Sequence, residues 1–262
     1  GIWATGKLAP QNAITVTADS AISGGDSGGA HAVKSLSGSG TLTLIATNVF
    51  DLEGDISNFA GILALTGSGS FRFMTTTYHG SSAAVFDLGT RGLSARQGSS
   101  YNLGALAGLS GSTLGMASNN SSATCTYTVG GANLDSTFAG VIANGSTSKK
   151  VALVKTGTGK LVLTGSNSYT GNTTVTQGRL TVDGSLAATV MTVSAGSERP
   201  HHAGSEGGVA LVVDAVAVEE IEAGGSVETK LGLPLRVVVH RVVHTRCQGV
   251  PVGTARRVDH GA

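Results

Sequence analysis

The segment 151–183, VALVKTGTGKLVLTGSNSYTGNTTVTQGRLTVD, restricts the fold more than any other stretch of the chain. It holds three short runs in which apolar and polar residues alternate. Leu161 and Leu163 point to one side while Lys160, Val162 and Thr164 point to the other. Thr174 and Thr176 flank Val175, and Thr181 separates Leu180 from Val182. A period of two over such lengths belongs to β-strands, and no helical period fits. The breaks fall at Gly157, Gly159, Gly165, Gly171, Gly178 and Gly184, where a residue without a Cβ turns a tight corner at no steric cost. A unit this thin cannot bury its own apolar face, so neighbours must stack on it.

Partial copies lie upstream. SGSGTLTL at 37–44 repeats TGTGKLVL at 156–163 almost residue for residue, and SNFAGI at 57–62 matches STFAGV at 136–141. Unequal spacing between copies implies degenerate coils with insertions rather than a strict array. Between them, Phe71 and Phe73 alternate about Arg72, and residues 103–114 are rich in Gly and Leu without a charge. At about 20 to 25 residues per coil, 37–197 supplies roughly six to eight coils, enough for a continuous core.

Leu153, Lys155, Gly157, Gly159, Leu161, Leu163, Gly165, Asn167, Tyr169, Thr170, Gly171, Thr173, Val175, Gly178, Leu180 and Val182 form one pattern. The stretch carrying it resembles the autotransporter-associated, or passenger-associated transport, β-strand repeat of secreted bacterial passenger proteins. The resemblance implies an all-β fold, a right-handed parallel β-helix (a solenoid), and a place at the bacterial cell surface or outside the cell. FDLG, LGALAG and TFAGVI are similar to spacer coils found beside that repeat. Within the repeat, Asn167, Tyr169 and Asn172 read as structural, the asparagines closing turns and the tyrosine packing over a corner.

Composition narrows the function classes. Charged residues make up 13% and the net charge is +1, which argues against a nucleic-acid partner. Aromatics at 4% and 40 glycines suit thin coils with small residues at the corners. No apolar run approaches the roughly 18 residues of a spanning helix, and the last residues do not alternate like outer-membrane barrel strands. The chain starts at Gly1 with no signal-like segment and reads as an internal piece of a larger exported protein. Cys125 and Cys247 are too few for a disulfide framework; two free thiols or a single bridge are the alternatives.

Three regions follow: N-terminal strands or solenoid edge at 1–36, the β-helix at 37–196 with the repeat at 151–184, and an atypical tail at 197–262. Of 33 charged residues, 15 fall in the last 66 positions, with five of seven histidines, three of four prolines and no asparagine. A separate linker and small domain would account for the change, as would translation in a shifted reading frame. The composition favours the shifted frame.

Several residues tempt a catalytic or metal-binding reading. Gly25-Asp26-Ser27-Gly28-Gly29 spells the nucleophile surroundings of chymotrypsin-like proteases, but His31 and His79 follow Ser27 where that family places its histidine upstream. His201, His202, His240, His244 and Cys247 invite a metal, yet LRVVVHRVVH reads as a strand, on which a four-residue spacing separates the imidazoles by about 13 Å. Asp51, Glu53 and Asp55 form the one acidic cluster before the tail and read as a solvated outward face or turn, as do Asp87, Arg91 and Arg96. Asn120, Asn144 and Asn172 stand in N-x-S/T sequons that carry no weight in a bacterial surface protein.

The expectation is therefore a non-enzymatic stalk or passenger segment with no catalytic residue, no metal site and no cofactor. The Thr/Ser/Asn faces leave adhesion open, to a surface glycan or a host or matrix ligand. A membrane would be met only through a barrel or anchor outside this sequence. Two other readings compete. A glycan-processing enzyme on a β-helix would need charged residues converging on adjacent coils. A sugar-binding β-sandwich would need antiparallel strands.

Overall fold

The computed structural model of the chain describes residues 2–3, 13–24, 31–74, 77, 79–117, 123–187, 189–193, 211–214 and 236–239. The fold is an all-β parallel solenoid of about eight turns. One face is a sheet running Ile2–Trp3, Ser20–Ser23, Thr41–Ala46, Ile62–Gly67, Gly80–Asp87, Ser100–Ala107, Ala123–Val129, Lys149–Lys155, Thr173–Val175, Val190–Val193 and Arg236–Val239. A second runs Ile14–Val16, His31–Gly38, Val49–Phe59, Ser70–Phe73, Gly92–Ala95, Thr113–Met116 and Val141–Ile142. As the second face ends, a third takes over with Ser136–Phe138, Lys160–Leu163, Arg179–Val182 and Leu211–Asp214. Ser166–Asn167 and Ser185–Leu186 make a small fourth. These sheet pairings are parallel except that of Arg179–Val182 with Leu211–Asp214. Parallel ladders remove the β-sandwich reading, because successive sandwich strands would pair antiparallel.

Alternation along each strand becomes stacking between coils. In Thr41–Ala46 the residues Leu42, Leu44 and Ala46 are buried while Thr41, Thr43 and Ile45 are half-buried. Leu42 pairs with Leu63 and Leu44 with Leu65, so one inward position in each coil extends a column of apolar side chains. On the second face Phe50, Phe71, Leu93, Leu114 and Ile142 form such a column. Few aromatics suffice because they are concentrated inside: Phe50 stacks on Phe71 at 6.0 Å, and Phe73 on Tyr101 at 4.7 Å between centroids.

Coil length varies as the imperfect copies imply. Hydrogen bonds between neighbouring coils join residues 22 apart at Thr15 and Ser37, 26 apart at Asn144 and Thr170, and 18 apart at Asn167 and Ser185. The structure also explains the copies. In SNFAGI and STFAGV the phenylalanine is buried under the following glycine, where a Cβ would lie 2.8 Å from Phe59 Cζ and 2.6 Å from Phe138 Cζ. The Gly-x-Gly corner occurs a third time, as TGSGSFRF at 66–73, a copy the alignment of the other two does not reveal. At all three corners the first glycine has positive φ, +100° at Gly38, +98° at Gly67 and +68° at Gly157. The second sits against the backbone of the preceding coil.

Cys125 is a free, buried thiol on the inner side of Ala123–Val129. Burial pushes its pKa up to about 12, which leaves almost no thiolate at neutral pH. Cys125 is expected to resist a thiol-specific reagent in the native chain and to react within minutes in denaturant, as peptide mapping of the labelled chain would show. Labelling in the folded chain at the denatured rate would contradict this packing. Cys247 lies outside the described residues.

Candidate functional site

The polar residues singled out by sequence are distributed along the solenoid, and most of them join one coil to the next. Asp51 points outward from Val49–Phe59, yet it is 1% exposed. Arg72, its ladder partner one coil on, grips it in a two-pronged bond: Nε donates to Oδ1 at 2.7 Å and Nη2 to Oδ2 at 2.9 Å. A buried carboxylate gripped at both oxygens by a half-buried guanidinium forms a crosslink rather than a solvated face, which corrects the sequence reading for Asp51. Glu53, two residues on, pairs with Lys34 of the preceding coil. Asp55 turns to its own chain and accepts from Ser57 N at 2.9 Å and Ser57 Oγ at 2.6 Å. Those two bonds hold its carboxyl below the ordinary carboxylate pKa.

Asp87 closes a turn by accepting from Gly89 N at 3.0 Å, and Arg91 donates to Thr90 Oγ1. Arg96 is half-buried beyond Gly92–Ala95. The Gly25–Gly29 motif with Ser27 lies outside the described residues, as do His201, His202, His240, His244, Cys247 and Asn120. His31 falls on the strand His31–Gly38. His79 is on a different coil, with its ring 6.1 Å from Tyr101 and Nδ1 3.4 Å from Ser99 Oγ.

Within the repeat the side chains act as clamps. Asn167 is buried, accepts from Ile142 N at 2.9 Å, and donates to Gly165 O at 3.0 Å and Ser185 O at 3.2 Å. One amide thereby ties three successive coils. Tyr169 is fully buried and does more than cover a corner: its hydroxyl meets Thr173 Oγ1 at 2.7 Å, and burial raises its pKa. Asn172 is exposed and contributes its backbone carbonyl to Leu153 N at 2.9 Å.

Lys155 occupies an inward ladder position between Val129 and Val175 and is 1% exposed. Its ammonium turns into the glycine corner and donates to Thr156 O at 2.6 Å, Gly157 O at 2.8 Å and Gln177 O at 3.2 Å. A lysine at a strand position that reads as inward is the signal that could have revealed this clamp. Asp19, Asn133, Asp135 and Asn144 were less legible. Asp19 accepts from Thr41 N at 3.0 Å, Asn133 from Thr158 N at 2.9 Å, Asp135 from Lys160 N at 2.8 Å and Asn144 from Thr170 N at 3.2 Å. Each caps a backbone N–H of the following coil.

Desolvation pulls the Lys155 pKa from 10.5 down to about 8, opposed by Asp135. Between those values the unfolded chain binds more protons than the folded one, so stability rises with pH. The unfolding free energy is expected to climb from about pH 8 to about 9. Above that the climb is opposed, because burial lifts the Cys125 pKa from 9.0 and the Tyr101 pKa from 10.0, both to about 12, and the unfolded chain then releases those protons first. Urea midpoints measured from about pH 7 to 9 would show the climb in the native chain and no climb in Lys155→Met. An equal climb in both would remove Lys155 as its source.

Residues 153–182 match the passenger-associated-transport-repeat family. That match falls on the clamp residues Lys155, Asn167, Tyr169 and Thr173, so the repeat's polar positions are the ones that register its coils. No curated protein and no solved structure matches the chain.

Outside the clamps, a shallow groove of about 270 Å³ crosses the second face, lined among others by Ser70, Gly92, Ser94, Thr113 and Gly115. It forms where two glycines interrupt the outward rows of side chains. Among the described residues, no group of three or more His, Cys, Asp or Glu residues could hold a metal ion, and no helix is long and apolar enough to cross a membrane.

Proposed function

We propose that this chain is a rod-forming stalk segment of an exported bacterial passenger protein, working at the cell surface or outside the cell. The observation that carries the reading is the passenger-associated repeat set in an uninterrupted parallel ladder. Its role is mechanical. Each coil satisfies the backbone groups of its neighbour and buries an apolar column, so the chain projects whatever is attached to its end. At about 4.8 Å per coil, eight turns hold the two ends roughly 40 Å apart.

Adhesion to a glycan or matrix ligand would draw on the hydroxyl-bearing outer faces, including the groove at Ser70, Ser94 and Thr113. A glycan-processing activity has less support: the charges that do gather on adjacent coils, Lys34, Asp51, Glu53 and Arg72, are engaged with one another. The test is display of the full chain between an export signal and an outer-membrane anchor, with an epitope at its outer end. The epitope should reach antibody on intact cells, and the rod should resist trace protease. An epitope held inside the cell, or a rod cleaved at the rate of an unfolded chain, would count against the stalk. Release of saccharide fragments from a polysaccharide panel would favour the enzyme.

A further inference from the structure

We infer that two strands of the tail, Leu211–Asp214 and Arg236–Val239, serve as the solenoid's own edge cap, taking the strand positions of a next coil in two sheets at once. Leu211–Asp214 lies on the open edge of Arg179–Val182, with Leu180 opposite Val213 and Thr181 opposite Val212. Arg236–Val239 lies on the open edge of Val190–Val193, with Met191 opposite Val237 and Thr192 opposite Val238. A coil as short as the one that brings Thr189 over Gly171, 18 residues apart, could not make these pairings. The pairing of Leu211–Asp214 is antiparallel, a direction that ends the parallel ladder of the third sheet, whereas Arg236–Val239 adds one parallel strand to the first.

The sequence change at residue 197 fits that task. An unpaired strand edge is a template for another chain, and proteins blunt it with charge and proline. The tail carries 15 of the 33 charged residues and three of the four prolines, whereas the coils need small and apolar residues to stack. Terminal units of a solenoid are expected to depart from the repeat for this reason. On this reading the break in composition marks a terminal unit, neither an unrelated domain nor a stretch in the wrong frame. The inference concerns backbone pairing and stands whether or not the chain is a passenger stalk.

Hydrogen exchange on the full-length chain tests it. Amides of 180–182 and 191–193 should exchange as slowly as those of the enclosed strand at 161–163. Val213→Pro and Val238→Pro each remove one backbone donor that faces the solenoid edge. Val213→Pro should speed exchange at 180 and 182, and Val238→Pro at 191–193, by at least about tenfold. Exchange at 42–45 should stay unchanged in both, which shows that the coils remain folded. Fast exchange at 180–182 and 191–193 in the native chain would overturn the cap, as would unchanged exchange in both proline variants.

Discussion

Replacing Arg72 with methionine is expected to lower the unfolding free energy by about 3–5 kcal/mol, the range for removing one partner of a buried ion pair. Arg72 supplies both bonds to the Asp51 carboxylate, which is 2% exposed at its side chain. Without the guanidinium, Asp51 keeps its desolvation cost and loses the cation that offsets it. The loss should be far smaller in Asp51→Leu/Arg72→Met, where apolar groups replace both charges. Denaturant midpoints for the two singles and the double give the coupling directly. A loss below about 1 kcal/mol in Arg72→Met would place this pair with ordinary exposed salt bridges.

Gly67→Ala is the second large effect, expected at about 3 kcal/mol or more. Gly67 has φ +98°, where a side chain is strained, and a Cβ there would lie 2.1 Å from the backbone oxygen of Ala46 in the coil before. Neither problem can be relieved by moving a flexible side chain. In a solenoid each coil couples only to its neighbours, so damage at one interface also weakens communication between the two halves. Gly67→Ala should therefore broaden or split a single denaturant transition, with fluorescence of the single tryptophan, Trp3, and whole-chain circular dichroism no longer coincident. A sharp transition at the native midpoint would show that the corner can relax. The same substitution at Gly111, which has φ +93° but open space around its Cβ position, isolates the conformational cost from the clash.

Much of the fold was legible locally. The alternation at Lys160–Leu163 and Arg179–Val182 appears as buried Leu161, Leu163, Leu180 and Val182, because a strand's period of two is a property of its own backbone. The glycine corners were legible for the same reason. Polar positions were not. Asp51 and Glu53 look alike in sequence, but one is gripped in Arg72's fork and the other meets Lys34. Asn144 sits in a sequon and proves to be a clamp between coils. In each case the partner lies 19 to 26 residues away, at a distance set by an irregular coil length that no short window contains.

By itself, then, the sequence determined the strand period, the corners, the apolar columns and the repeat at 153–182, all of which depend on residues close together in the chain. The tertiary structure alone decided the register between coils, and with it which charges pair, which carbonyls receive Lys155, and where the second face gives way to the third after Val141–Ile142. The reason is energetic. Any apolar residue can extend an apolar column, so the columns leave the register loosely specified, whereas a buried Lys, Asp or Asn is satisfied in one alignment and costly in the others.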